Sequence, residues 1–269
     1  MPEAPKQKQQ QTSRTGTKRL ILQKRDFWLF NALSTLRILD KRQAASIAGF
    51  NSNTRVNERL LKLRQTGLLK RFFFVSAVGG KRAIYCLTKK SADLIGIPLN
   101  AVHRPSDSFL IGDRFVAHQL AINEVYCASA IRQHASDPQI SAFRLISKPL
   151  SDAIPIIPDA YFEINSNSFI RPMFLEVDLG TERHSIWNEK IKQYLNLASS
   201  GEFERLFAKP RFAVLVVTTS NGRMHSLRSH IRKSTSKLFY FTTFQALEEQ
   251  GFWQSIWLRP EGEQTQPLI

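Results

Sequence analysis

The longest uninterrupted apolar run in the chain, Phe212 to Val217, is rich in β-branched residues and ends at Thr218. A strand that is apolar at every position offers no face to water, so it belongs in the middle of a sheet covered on both sides. At six residues it is far shorter than the roughly 20 needed to cross a bilayer. The segments before it supply the covering layers. Phe115, Val116, Leu120, Ile122, Val125, Tyr126 and Ala130 recur at helical spacing across residues 114–132. Residues 140–146, 156–164 and 173–178 read as strands, and a second helix is expected from Thr181 or Glu182 to about Ala198. The expected order is α-β-β-β-α-β, an α/β core.

Alternation within two of those strands singles out acidic residues. In Pro158-Asp159-Ala160-Tyr161-Phe162-Glu163, a period of two puts Asp159, Tyr161 and Glu163 on one face. In Phe174-Leu175-Glu176-Val177-Asp178, it puts Glu176 and Asp178 together, opposite Leu175 and Val177. If the strands are neighbours, Asp159, Glu176 and Asp178 converge at one edge of the sheet. Packed carboxylates repel one another unless a cation sits among them. Hard oxygen donors suit Mg²⁺ or Mn²⁺, which can activate water against a phosphodiester. The competing expectation is that these acids face solvent or pair with arginines.

The charge of the chain is lopsided. Over 269 residues the net charge is +16, with a pI near 10.2. Residues 1–100 hold 20 Lys and Arg against 5 Asp and Glu, and the remainder is close to neutral. A basic third beside a neutral remainder points to a phosphate-binding unit joined to a second one, with nucleic acid as the obvious polyanion. The basic third has its own pattern. Residues 1–22 are polar and basic, the composition of a disordered tail. Helical spacing follows at Phe27, Leu29, Phe30, Leu33 and Leu36, and again from Lys41 to Ala48, where Gly49 stops the helix. The capping cluster Asn51-Ser52-Asn53-Thr54 opens a third helix with Val56, Leu60, Leu61 and Leu63. Its other side carries Asn53, Arg55, Asn57, Arg59 and Lys62, side chains suited to base edges and phosphates. Two strands, 68–76 and 82–87, flank the turn Val78-Gly79-Gly80-Lys81, and Thr88 caps a short helix. Three helices and a hairpin make a winged helix-turn-helix, with helix 3 for the major groove and Lys81 and Arg82 on the wing. The expected organisation is a tail (1–22), a winged-helix DNA-binding domain (23–100) and a second domain (112–260), with 105–113 as linker.

Other classes are disfavoured. The basic N-terminal residues have no apolar segment after them, so no signal peptide is expected. Cys86 and Cys127 show no paired spacing, which fits a reducing, cytoplasmic setting without a membrane. There is no CxxC or HExxH motif for zinc.

The motifs PDAYFEI and FLEVDLGTE, followed by a helix holding Lys190 and Tyr194, resemble the PD-(D/E)xK nuclease superfamily. More narrowly they resemble the replication-relaxation family, which includes MobC-type relaxases of mobilizable plasmids. The winged helix, the His118, Asn123 and Glu124 helix and the FTTFQAL…IWLRP segment are similar to that family too. The resemblance covers nearly the whole chain except the tail. It implies a restriction-endonuclease-like core and nicking of one strand at a transfer or replication origin in double-stranded DNA. Partners would then include an accessory mobilization protein and a coupling protein. Asp159, Glu176 and Asp178 would be metal ligands, with Glu124 a helix-borne carboxylate. The sequence departs from the superfamily in one position, because Asp178 stands where its lysine is usual. Lys190 is the expected substitute. No histidine pair forms an HxH and no tyrosine precedes Tyr85, so a phosphotyrosine mechanism is disfavoured, with Tyr194 and Tyr161 the tyrosines to watch. The alternative is a non-catalytic plasmid replication initiator or regulator that keeps the fold without the chemistry. A third reading is a double-strand endonuclease using the same residues.

Overall fold

The computed structural model describes residues 20–75, 80–98, 109–110, 114–130, 138–167 and 169–269. The apolar run becomes β8 (Ala213–Thr218), buried at all six positions. It lies parallel to β7 (Phe169–Asp178) on one side and to β9 (Phe239–Thr243) on the other. Antiparallel β6 (Ala160–Ser166) and β5 (Gln139–Leu145) complete a five-stranded sheet, in the order β5-β6-β7-β8-β9. One face packs on α5 (Arg114–Ala130) and α9 (Phe244–Glu249), through Ile122, Val125, Phe162, Leu175, Val217 and Leu247. The other face packs on α6 (His184–Ser199), α7 (Glu202–Phe207) and α8 (Asn221–Ile231), through Trp187, Ile191, Phe203 and Leu227. Coverage on both faces is what a fully apolar strand requires.

The sheet departs from expectation in three ways, the first that β7 begins at Phe169 rather than near Met173. β6 starts at Ala160 rather than near Ile156, since Pro155 and Pro158 have no N–H to give a ladder. The segment folds instead into a turn, in which Ser151 and Ile154 exchange backbone hydrogen bonds of 3.1 and 3.2 Å. β9 completes the sheet although its residues were expected only as part of the closing segment.

The N-terminal part runs α1 (Lys24–Leu36), β1 (Leu39–Asp40), α2 (Lys41–Ala48), α3 (Asn53–Gln65), β2 (Leu69–Val75), β3 (Lys81–Leu87) and α4 (Lys89–Leu94). Strands β2 and β3 pair antiparallel in full register, and β1 joins the free side of β3. Within the expected linker, β4 (Phe109–Leu110) pairs parallel to β2. The expected tail falls largely outside the described residues, but Leu20 and Leu22 at its end pack against the core of α1 to α3. Residues 78 and 79 of the turn also lie outside the described set.

Helix α5 explains why its apolar residues run around the cylinder. Val116 and Leu120 pack into the N-terminal sheet beside Ile38, Phe72 and Ile84, while Ile122 and Val125 face the five-stranded sheet. Polar links reinforce this junction. Gln43 Nε2 donates to the Leu120 carbonyl at 2.7 Å, and Asn123 Nδ2 to the Ile38 carbonyl at 2.5 Å.

Candidate functional site

The register of β6 and β7 pairs Ala160 with Leu175, and one step further it sets Asp159 across from Glu176. The Asp159 N–H donates to the Leu175 carbonyl at 3.1 Å, and Asp159 Oδ2 accepts the Val177 N–H at 2.7 Å. Alternation turns Glu176 and Asp178 toward α6, as the sequence predicts.

Each carboxylate meets a different partner. Glu176 is 1% exposed; Lys190 Nζ donates to its Oε2 at 2.8 Å and the Tyr194 hydroxyl to its Oε1 at 2.6 Å. Lys190 and Tyr194 are four residues apart on α6, so one helical face delivers both. Lys190 also donates to both oxygens of Glu182, at 2.9 and 2.8 Å. Burial pushes the Glu176 carboxyl up to about 7, against the opposing pull of Lys190. For Lys190, burial acts downward, but the charges of Glu176 and Glu182 outweigh it and hold the ammonium above its ordinary value. Lys190, on the following helix, therefore reaches Glu176.

Asp178 is anchored differently. Arg223 of α8 grips it through Nε to Oδ1 at 3.1 Å and Nη2 to Oδ2 at 2.7 Å. The Trp187 indole N–H donates to Oδ2 at 2.8 Å, and the Gly180 N–H to Oδ1 at 2.6 Å. Gly180 sits at φ +82°, a conformation that favours glycine and lets the chain turn back onto the carboxylate. Burial would raise the Asp178 carboxyl, but the hydrogen bonds from Arg223, Trp187 and Gly180 lower it below its ordinary range.

Asp159 takes its second partner from the opposite layer. His118 Nε2 on α5 lies 2.8 Å from Asp159 Oδ1, with the two side chains 35% and 18% exposed. Burial alone would lower the imidazole, yet the hydrogen bond and charge of Asp159 raise it. Glu124 is not in this group. It faces the N-terminal part, where Arg42 Nη2 donates to it at 3.2 Å and Gln43 Nε2 at 3.3 Å.

The expected convergence of three carboxylates on one ion gives way to a more divided arrangement. Among the described residues no group of three or more His, Cys, Asp or Glu side chains is placed to hold a metal. Asp178 does not fit, because Arg223 neutralises it and two donors fill each of its oxygens, whereas among the described residues each oxygen of Asp159 and Glu176 accepts one. Asp159 and Glu176 fit as an oxygen-donor pair for a hard divalent cation, since Lys190 has Glu182 as a second anchor if it leaves Glu176. Tyr194 is fully buried and Tyr161 nearly so, with hydroxyls donating to Glu176 and Glu163; burial raises both phenols. Neither is presented as an exposed nucleophile.

On the basic unit, Asn53, Arg55, Asn57 and Lys62 are exposed on α3, whose Val56, Leu60 and Leu63 are buried. Arg59 departs from the expectation. It turns inward, with Nε donating to Asp26 Oδ1 at 2.8 Å and its side chain 13% exposed. Lys81 is exposed at the start of β3, while Arg82 is half-exposed and pairs with Asp40 at 3.4 Å.

Sequence reasoning gave no site role to four contributors, His118, Glu182, Trp187 and Arg223, although His118 and Glu182 lie in segments that carry the family resemblance. His118 and Arg223 lie on other elements, 41 and 45 residues from the acids they hold. Glu182 lies eight residues before Lys190, and Trp187 lies nine after Asp178 on the helix that carries Lys190, so local spacing put both within reach of notice.

Fold and site together define a mixed α and β protein with two sheets and a buried carboxylate-lysine-tyrosine cluster. The sequence model of the replication-relaxation family matches residues 30–208, two thirds of the chain, and the chain belongs to that family. Membership suggests a role in plasmid replication or mobilization, and with it contact with DNA. No curated protein and no solved structure matches the chain. No helix among the described residues is long and apolar enough to cross a membrane.

Proposed function

We propose that this protein is a DNA endonuclease of a mobile element that nicks one strand at a transfer or replication origin. The observation that carries the reading is Lys190 lying 2.8 Å from Glu176, directly across the strand pair from Asp159. Two acids and a lysine at one sheet edge are the donor set that a PD-(D/E)xK-type site needs, here with the lysine moved onto α6. The five-stranded sheet with helices on both faces is compatible with a restriction-endonuclease-like core. The order α1-β1-α2-α3-β2-β3 supports a winged helix, with Asn53, Arg55, Asn57 and Lys62 on the groove-facing helix and Lys81 and Arg82 at the wing.

Asp159 and Glu176 would hold Mg²⁺ or Mn²⁺, which when bound supplies a more acidic water and charge neutralisation. The chain's own groups do the rest. Lys190 offers an ammonium to the phosphate, Tyr194 and Glu182 position Lys190 and Glu176, and His118 orients Asp159. Asp178 holds the frame through Arg223 and Trp187. Mobilization and coupling proteins would complete the assembly at the origin.

Supercoiled plasmid carrying the cognate origin, incubated with protein and Mg²⁺ or Mn²⁺, is expected to yield relaxed circles. Asp159→Asn and Glu176→Gln should bind that DNA in a gel shift but leave it supercoiled. Wild-type binding without relaxation sinks the nuclease reading, and linear product favours double-strand cleavage.

One observation favours a second reading, a non-catalytic replication initiator or regulator. Asp178 stands in the usual lysine position and is clamped by four hydrogen bonds from Arg223, Trp187 and Gly180. Such a protein would bind the origin and never nick it.

A further inference from the structure

A cleft of about 550 Å³ opens beside Lys190, between α6 and the strap that leads into Asp159. Ile156 and Ile157 form one wall, and Ile186, Glu189, Lys190 and Gln193 the other. The α6 residues recur at three- and four-residue spacing, so a single helical face lines the cleft. Its mouth is unusually apolar for a site centred on charge: Ile157 is 47% exposed and Ile186 46%. Gln193 Oε1 is buried, and among the described residues no donor reaches it. A buried acceptor left without a partner costs free energy that a ligand donor would return.

We propose that this cleft receives a nucleobase of the single DNA strand that enters the Asp159, Glu176 and Lys190 site. The inference rests on the nuclease reading and deepens it by naming what holds the substrate strand. Apolar walls suit the faces of a base, and the volume accommodates one with room for its sugar. Lys190 belongs to both the cleft and the acidic cluster, so a base in the cleft places its own phosphate beside the carboxylates. The polar groups choose among bases. Gln193 Oε1, once its side chain turns out into the cleft, and the Glu189 carboxylate, which also accepts from Lys192 at 2.9 Å, are acceptors, so the favoured base presents an amino group along its edge. Cytosine, with its N4 amino group, meets them; thymine, with a carbonyl at that position, does not. A base must leave its stack to enter, which restricts the cleft to single-stranded or opened DNA.

The test uses the full chain in EDTA, so that no cleavage intervenes. Fluorescence anisotropy measures binding of labelled dC12, dT12 and an abasic 12-mer of equal charge. The abasic strand reports phosphate affinity alone, a necessary reference for a protein of net charge +16. Wild type is expected to bind dC12 about tenfold more tightly than the abasic strand, with dT12 between them. Ile157→Ala/Ile186→Ala changes two exposed side chains, so folding is preserved. It should bring dC12 down to the abasic level while leaving gel shifts of duplex DNA unchanged. Gln193→Met should keep the tighter binding of base-bearing strands but erase the gap between dC12 and dT12.

Equal binding of all three strands by wild type overturns the proposal. So does base-dependent binding that survives the double isoleucine change, because the base is then held elsewhere. A dC12 preference that persists in Gln193→Met refutes the donor-edge assignment. Nicking is scored separately: base capture without relaxation in Mg²⁺ leaves the cleft standing and removes the nuclease reading.

Discussion

Arg223→Met tests the division of labour among the acids most directly. The substitution keeps much of the aliphatic bulk and deletes the cation that neutralises Asp178, whose side chain is 0% exposed. Asp178 must then remain a buried anion held by two N–H groups or take up a proton. Protonation sets the ceiling on the cost. Each pH unit above the ordinary value of 3.8 adds about 1.4 kcal/mol, which gives about 4 kcal/mol at pH 7 and about 1.6 kcal/mol at pH 5. The Trp187 and Gly180 hydrogen bonds still favour the anion, so about 3 kcal/mol is expected at pH 7, the range seen when one member of a buried pair is removed. Loss of the Arg223 hydrogen bond to the Glu182 carbonyl adds about 1 kcal/mol at every pH. The sign follows from the lowered Asp178 carboxyl. Its contribution in the wild type is present above 3.8 and is lost as pH falls through its folded value, so the gap between the proteins must narrow toward acid. Urea denaturation at pH 7 and pH 5 measures the gap. Arg223→Met/Asp178→Asn should recover at least 1.5 kcal/mol at pH 7, as a double-mutant cycle on residues in contact. An equal loss at both pH values together with an additive cycle would refute the claim that Arg223 acts by neutralising Asp178.

The remaining expectations concern binding, stability and titration. Charge reversal at Arg55 and Lys62 should weaken duplex affinity and flatten its salt dependence by about 0.9 in log-log slope per lost phosphate contact, read by titrations at several salt concentrations. Arg59→Ala should instead destabilise the fold by about 3 kcal/mol in denaturant melts, because it strands Asp26 at 1% exposure. NMR titration of His118 should give a value above 6.5 that drops in Asp159→Asn. The stabilisation from charged His118 is full below 6.5 and fades as pH rises through the folded value, so melts of the wild type and His118→Gln should converge at alkaline pH.

Much of the architecture is legible in the residues because local patterns carry it. The apolar run at 212–217 dictated a central strand, and Gly49, Ser52 and Thr88 marked helix ends where the structure has them. The facing of Glu176 and Asp178 followed from the period of two, whereas Lys190 was expected only from the family resemblance. Where the reading missed, the competing cause can be named. Two prolines delayed β6, and β1 is two residues long, too short for any periodic signal.

What the sequence could not contain was the pairing of charge with charge. Asp159, Glu176 and Asp178 look alike in the chain, and alternation groups them as one site. Packing separates them: α5 brings His118 to the first, α6 brings Lys190 to the second, and α8 brings Arg223 to the third. The same holds for Arg59, which the pattern of α3 assigns to DNA and the docking of α1 assigns to Asp26. Strand and helix periodicity are local and are written in consecutive residues. The partner of a buried charge is chosen by desolvation among groups tens of residues apart, and only the packed structure brings those groups together.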